Sequence, residues 1–198
     1  MAAVCAVFVV SSTSQAQVPG LDIGVTAGVN LATVSGGGDD TKNLTGFMVG
    51  VSFIHRMTHM FAFQPEIAYS MKGAKFDDGV DEGEVKINYI DVPLLLKITL
   101  GPEMTMGQAR PALYLGPYAA FNMSCDIKTE GVSVECDAFD AEPKTVDFGA
   151  IAGVGMDFGN FNIFARYQFG LTSISDDVDD DAKNRVIQIG GRFSFRGR

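Results

Sequence analysis

Glu66, Asp91, Lys97, Asp147, Arg166 and Arg192 are the residues with the most chemistry to offer in this chain. Each lies in a stretch where apolar residues alternate with small or polar ones, and each falls on the polar side of that alternation. Side chains of a strand point alternately to its two faces, so strands here would gather three carboxylates and three cations on one side of a sheet. Two chemistries follow. The six form a polar or proton-linked pathway, or they form a salt-bridged filling in which each charge is neutralised. Unpaired buried charge is very costly, and the salt-bridged filling is the expectation.

Other candidates are weaker. Asp177, Asp179 and Asp181 have the initial spacing of a Ca²⁺ loop. Ala182 stands where such a loop needs Gly, and Gln188 where it needs Glu. They are expected to form a solvated acidic loop with at most weak cation binding, and no specific metal site. His55 and His59 are four apart, the spacing of a helical metal pair, but they flank a short connection without a partnering Cys or carboxylate cluster. Cys125 and Cys136 share one acidic stretch. In an exported chain that predicts a disulfide closing the stretch; zinc is the poorer reading, because no His lies nearby. No Ser/His/Asp or Cys/His arrangement can be assembled, and no Gly-rich phosphate loop leads from a strand into a helix. The chain is expected to be no enzyme and to need no cofactor.

The elements that position the six charges are strands. Phe61–Lys72 places Phe, Phe, Pro, Ile, Tyr and Met on one face and Ala, Gln, Glu, Ala, Ser and Lys on the other. Twelve alternating residues exceed the usual globular strand of about 5–6 and match the roughly 9–11 of a tilted membrane-spanning strand. Similar patterns occupy 21–33, 44–55, 89–98, 110–124, 145–158, 161–172 and 186–195, which makes eight strands. Val85, Ile87 and Tyr89 carry the opposite phase to Ile90, Val92 and Leu94, so a bulge or phase change is expected near Asn88. Gly159-Asn160 suits a two-residue hairpin turn.

Connections alternate in character. Stretches 34–43, 74–85, 125–143 and 174–184, read as loops, hold 18 of the 24 acidic residues and four Lys. The connections between them are shorter. Long loops at one end and tight turns at the other are the pattern of a transmembrane barrel. The faces agree. One collects Gly28, Gly46, Gly50, Gly116, Gly149, Gly153, Gly155, Gly170 and Gly190 with the six charges, as a narrow lumen filled by side chains would. The other is nearly free of charge, as lipid contact requires. Aromatic residues mark its ends, with Phe53, Phe61, Phe63, Phe158, Phe161, Phe193 and Phe195 towards the turns.

The net charge of −9 argues against nucleic acid as a partner. No apolar run is long enough for a membrane helix. Residues 1–16 read as a signal peptide, with Ala2–Val10 apolar and Ser14-Gln15-Ala16 fitting a cleavage site. No basic segment precedes the apolar run, so its start reads as either truncated or misassigned. Residues 17–198 read as one barrel domain.

Two central segments, Gln64–Phe76 and Tyr89–Lys97, resemble the outer-membrane β-barrel family grouped with PorT-like proteins. Gly28-Val29-Asn30-Leu31, Gly116-Pro117-Tyr118 and Arg166–Leu171 also fit. The resemblance implies an eight-stranded barrel in the outer membrane of a Gram-negative bacterium. It implies little about activity, because the family is functionally diverse. Barrels of this kind usually finish on an aromatic residue; here Arg196-Gly197-Arg198 follow Phe195.

The expectation is therefore an all-β, eight-stranded antiparallel up-and-down transmembrane barrel. It would act as a monomeric scaffold in outer-membrane lipid, with a largely plugged polar lumen. Its acidic external loops would meet divalent cations, surface polysaccharide or protein. A narrow porin for small solutes is the alternative. A soluble barrel carrying a lipophile is a third reading, in which the apolar face would turn inward.

Overall fold

The computed structural model describes residues 21–35, 41–77, 82–101, 109–129, 132–135, 144–172 and 183–195. The signal-peptide segment lies outside them. The elements are all strands: β1 (Leu21–Ser35), β2 (Thr41–Arg56), β3 (Phe61–Asp77), β4 (Glu82–Thr99), β5 (Arg110–Thr129), β6 (Val132–Glu135), β7 (Val146–Phe158), β8 (Phe161–Gly170) and β9 (Lys183–Phe195). Every pairing is antiparallel. The ring runs β4-β3-β2-β1-β9-β8-β7-β5 and closes through β4–β5. Eight strands make the barrel, and β6 extends β5 beyond its rim.

The register fixes the size of the barrel. Cross-strand partners lead from Leu21 to His55, Phe63, Leu96, Leu115, Ala152, Tyr167, Ile187 and back to β1 at Leu31. The circuit closes ten residues along β1 from where it began. Such a stagger tilts the strands by roughly 35–45° and leaves an interior that side chains can fill.

Alternation then sorts the residues. Val25, Val49, Ile67, Leu94, Leu115, Val154, Ile163 and Ile189 point outward and are exposed. Phe61, Phe63, Phe158, Phe161, Phe193 and Phe195 are exposed near the end where the tight turns lie, hereafter the turn end. Inside, Tyr89, Leu95, Tyr114, Tyr118, Ile151 and Phe164 form the largest apolar cluster. The inward glycines leave space for them. A Cβ on Gly149 would stand 2.5 Å from the Tyr118 ring, one on Gly155 2.9 Å from Tyr114, and one on Gly190 2.8 Å from Phe164. The apolar face is therefore outside, and the inward-apolar carrier arrangement does not hold.

Two expectations are corrected. First, the stretches read as acidic loops are in part strand. β3 reaches Asp77, β4 starts at Glu82, and β5 runs to Thr129 and pairs with β6. Turn-forming residues and charge hid the continuing alternation. One acid there, Glu84, has cations beside it: Lys75 lies 3.7 Å and Lys86 2.5 Å away. Second, the register shifts beside Asn88, but β4 keeps its phase: Ile87, Tyr89 and Asp91 are all buried. The extra residue is on β5, where Asn88 and Tyr89 face Ser124 and Asn122 and leave Met123 between them. The apolar residues switch sides along β4 because Ile87 and Tyr89 enter the buried apolar cluster, with Val85 packed against it.

The turns follow from local chemistry. Gly159 takes a φ of 65° between paired Phe158 and Phe161, a conformation that glycine tolerates best. In the β2–β3 turn, Thr58 Oγ1 accepts hydrogen bonds from the Met60 and Phe61 amides at 3.2 and 2.9 Å.

Leu115 is on the outward face of β5, paired with Ala152 at the middle of β7. Leu115→Arg is expected to destabilise the barrel by about 2–4 kcal/mol in lipid, the cost of a cation at the bilayer midplane. Urea unfolding in vesicles, compared with Leu115→Ala, measures it. Equal midpoints for the two variants would mean that this face does not contact lipid.

Candidate functional site

The polar face meets in the lumen, where the six predicted charges are all buried. Glu66 on β3 and Arg166 on β8 stand on opposite walls, four strands apart either way round the ring. Arg166 Nη1 and Nη2 donate to the two Glu66 carboxylate oxygens at 2.9 Å each. This fork-to-fork pair is the strongest ordinary ion-pair geometry. Gln64 Nε2 adds a bond to Glu66 Oε1 at 2.6 Å. The Arg166 guanidinium lies 4.0 Å from the centre of the Phe164 ring and 4.7 Å from that of Tyr114. Gly153 opposite keeps the site open, since a Cβ there would stand 2.8 Å from Arg166 Cγ. Only 1% of Glu66 and 2% of Arg166 is exposed, so the pair crosses the barrel out of reach of solvent.

Two further clusters flank it. Towards the far end, Lys72 Nζ contacts Asp91 Oδ1 at 2.8 Å and lies over the Tyr89 and Tyr118 rings at 4.8 and 5.0 Å. Asp147 accepts from Tyr118 Oη at 3.0 Å, Asn184 Nδ2 at 2.9 Å and Thr172 Oγ1 at 2.7 Å. Towards the turn end, Lys97 Nζ contacts Asp157 Oδ1 at 2.6 Å. Asn162 donates to the same oxygen at 2.9 Å and accepts from Tyr114 Oη at 2.9 Å. Arg192 is buried there too, and its Nε and Nη1 have no hydrogen-bond partner.

The predicted set thus converges on one lumen, but not as one network. Glu66 pairs with Arg166, whereas Asp91 and Lys97 take partners outside the set, Lys72 and Asp157. Asp147 is held by neutral donors. Lys72 and Asp157 were missed, although both stand at lumen-facing positions of their strands. Parity alone would have found them.

The remaining candidates fall differently. Cys125 is disulfide-bonded; Cys136 lies outside the described residues. Asp177, Asp179 and Asp181 lie outside them as well. His55 and His59 are exposed at the turn end. Among the described residues, no three His, Cys, Asp or Glu side chains come together as a metal site.

Residues 14–176 match a family described as the outer membrane protein beta-barrel domain. The chain belongs to the outer-membrane β-barrel family. It is accordingly a protein of the bacterial outer membrane. β9, which closes the ring, lies beyond the matched residues, so closure is seen in the structure alone. Among solved structures, Neisserial surface protein A (NspA) is similar at 16% identity, covering 89% of this chain and 97% of its own, with a TM-score of 0.51. The outer membrane protein OprG from Pseudomonas aeruginosa is 13% identical over 89% and 95%, with a TM-score of 0.51. The outer membrane enzyme PagL is 11% identical over 86% and 98%, with a TM-score of 0.50. These likenesses show a shared barrel fold. No curated protein is significantly similar in sequence.

Breaking the Glu66–Arg166 pair by Arg166→Ala is expected to cost about 3–5 kcal/mol, because a buried carboxylate loses its counter-charge. The double variant Glu66→Leu/Arg166→Met should recover most of that loss. Equilibrium unfolding of the refolded barrel reads both. A single variant as stable as the parent would show that the pair holds nothing together.

Proposed function

We propose that this outer-membrane barrel is a non-catalytic scaffold, monomeric and without cofactor, whose lumen is closed by its own side chains. The observation that carries the reading is the Glu66–Arg166 pair. It joins opposite walls, is forked at 2.9 Å, and is flanked by the Phe164 and Tyr114 rings. A solute crossing the barrel must separate two charges that are buried together, which is costly. The Lys72–Asp91 and Lys97–Asp157 contacts add a constriction on each side.

Short turns of membrane barrels face the periplasm and longer connections face outward. On that rule the turn end is periplasmic. The far end then presents the hairpin ends β3–β4 and β5–β6 and the acidic stretches to the exterior. Their acids favour divalent cations, and through them surface polysaccharide, or a basic protein surface. The signal-like segment at 1–16 accords with export by the usual route.

A narrow porin is the second reading, favoured by a specific feature. Thr26 Oγ1, Gln64 Oε1, Gln168 Nε2 and Arg192 Nε and Nη1 are buried inward atoms without hydrogen-bond partners. Buried polar atoms of this kind are commonly satisfied by ordered water, and a hydrated lumen is a step towards a conducting one.

Planar-bilayer recording of the refolded mature chain decides between them. Insertion without discrete openings is expected, and Arg166→Ala is expected to introduce openings. Reproducible openings of the unmodified barrel would overturn the scaffold reading and make the lumen charges a selectivity filter.

A further inference from the structure

The lumen charges balance as a whole but not by halves. Lys72, Lys97, Arg166 and Arg192 oppose Glu66, Asp91, Asp147 and Asp157. Towards the far end, Lys72 faces two carboxylates, Asp91 and Asp147. Towards the turn end, Arg166, Lys97 and Arg192 face Glu66 and Asp157. Asp22, at the rim, is occupied by Arg56 at 2.7 Å. The surplus positive charge belongs to Arg192.

Arg192 also has two unused donors. Only 4% of it is exposed, and both Nε and Nη1 lack a partner. The nearby carboxylates, Asp157 and Glu66, are taken by Lys97 and Arg166. Thr26, its cross-strand neighbour on β1, has a buried hydroxyl that also lacks a partner. Arg166 Nε is unpartnered as well. Next to Arg192 on the β1 side is Gly24, where even a Cβ would come to 3.0 Å from Nη1. A buried guanidinium with free donors, a free hydroxyl beside it and a local charge surplus is costly as it stands. Water would satisfy the donors but not the charge; an anion satisfies both.

We infer that Arg192 and Thr26 form a binding site for a small inorganic anion of halide size, reached from the turn end of the lumen. The site is small because Gly24, Thr26 and Asn162 line the neighbouring strands around Arg192. Asp157, whose side chain is 15% exposed, and Lys97 lie towards the same end. The inference does not depend on the lumen being closed: in a plugged barrel the anion fills a blind chamber, and in a conducting one it marks an anion step. It bears on neither partner binding nor the acidic exterior.

Bromide is the probe. Crystals of the refolded barrel in bromide are expected to show an anomalous peak within hydrogen-bond reach of Arg192 Nη1 or Nε. In detergent, the thermal midpoint is expected to rise by about 2–4 °C when bromide replaces gluconate at constant ionic strength, the size expected for a bound ligand in a domain of this length. Arg192→Gln should abolish that rise. Should Arg192→Gln not refold, Thr26→Val, which keeps shape and removes the hydroxyl, should weaken the bromide dependence several-fold. A peak at Arg192 with a midpoint indifferent to bromide means an adventitious ion only and overturns the site. No peak at Arg192, or a bromide response unchanged in both variants, overturns it equally and leaves the donors to water.

Discussion

An eight-stranded barrel closed with this stagger has an interior too narrow to hold a wide water column and too wide to be left empty. The outward face is committed to lipid, so the inward residues alone must fill that space. The chain does this by pairing absence with bulk. Gly149 yields to Tyr118, Gly155 to Tyr114, Gly190 to Phe164 and Gly153 to Arg166. Rings supply most of the volume, and their hydroxyls are spent on Asp147 and Asn162. Every polar contact in the lumen is therefore conditional on the packing around it.

Charge inside such a space needs a physical reason, because a buried pair rarely stabilises more than a well-packed apolar substitute. Register supplies one. Along a strand a one-residue slip exchanges the faces. A slip of β3 would carry Glu66 and Lys72 into lipid, and a slip of β8 would carry Arg166 there. Apolar substitutes would penalise neither error much, since the outer face is apolar already. The Glu66–Arg166 fork adds a constraint that adjacent-strand pairing cannot, because it joins strands on opposite walls and so tests the closure of the whole ring.

This also explains what the sequence could reveal. Period-two alternation identifies the faces of a strand, and eight strands, the lumen side and the aromatic ends were legible from it. The ends of β3, β4 and β5 were not, because turn-forming residues and acids at 74–85 and 125–143 read as loop, whereas pairing runs on to Asp77, from Glu82 and to Thr129, which faces Val132 of β6. The irregularity expected near Asn88 is present, with its extra residue, Met123, on β5, while Ile87 and Tyr89 face inward into the buried apolar cluster. Partners across the lumen were illegible for a deeper reason. Whether Asp91 meets Lys97 or Lys72 depends on the stagger of the closed ring, a sum over eight registers, and no local pattern encodes it.

The filling of the lumen bears on where variation is free to accumulate. A barrel whose interior is used for packing has few residues left over for chemistry at its centre. Members of one fold can differ in activity because sites are grafted onto a scaffold rather than built by it. Among the described lumen residues, two charges have no opposite partner within salt-bridge distance and lie at different depths: Asp147 near the start of β7, satisfied by a tyrosine, an asparagine and a threonine, and Arg192 near the close of β9, with donors to spare. A carboxylate with three neutral donors is solvated by the protein itself. A guanidinium with unused donors is not. The lumen is thus asymmetric in charge along its axis: the far-end carboxylate is answered by neutral donors, and the turn-end guanidinium is not.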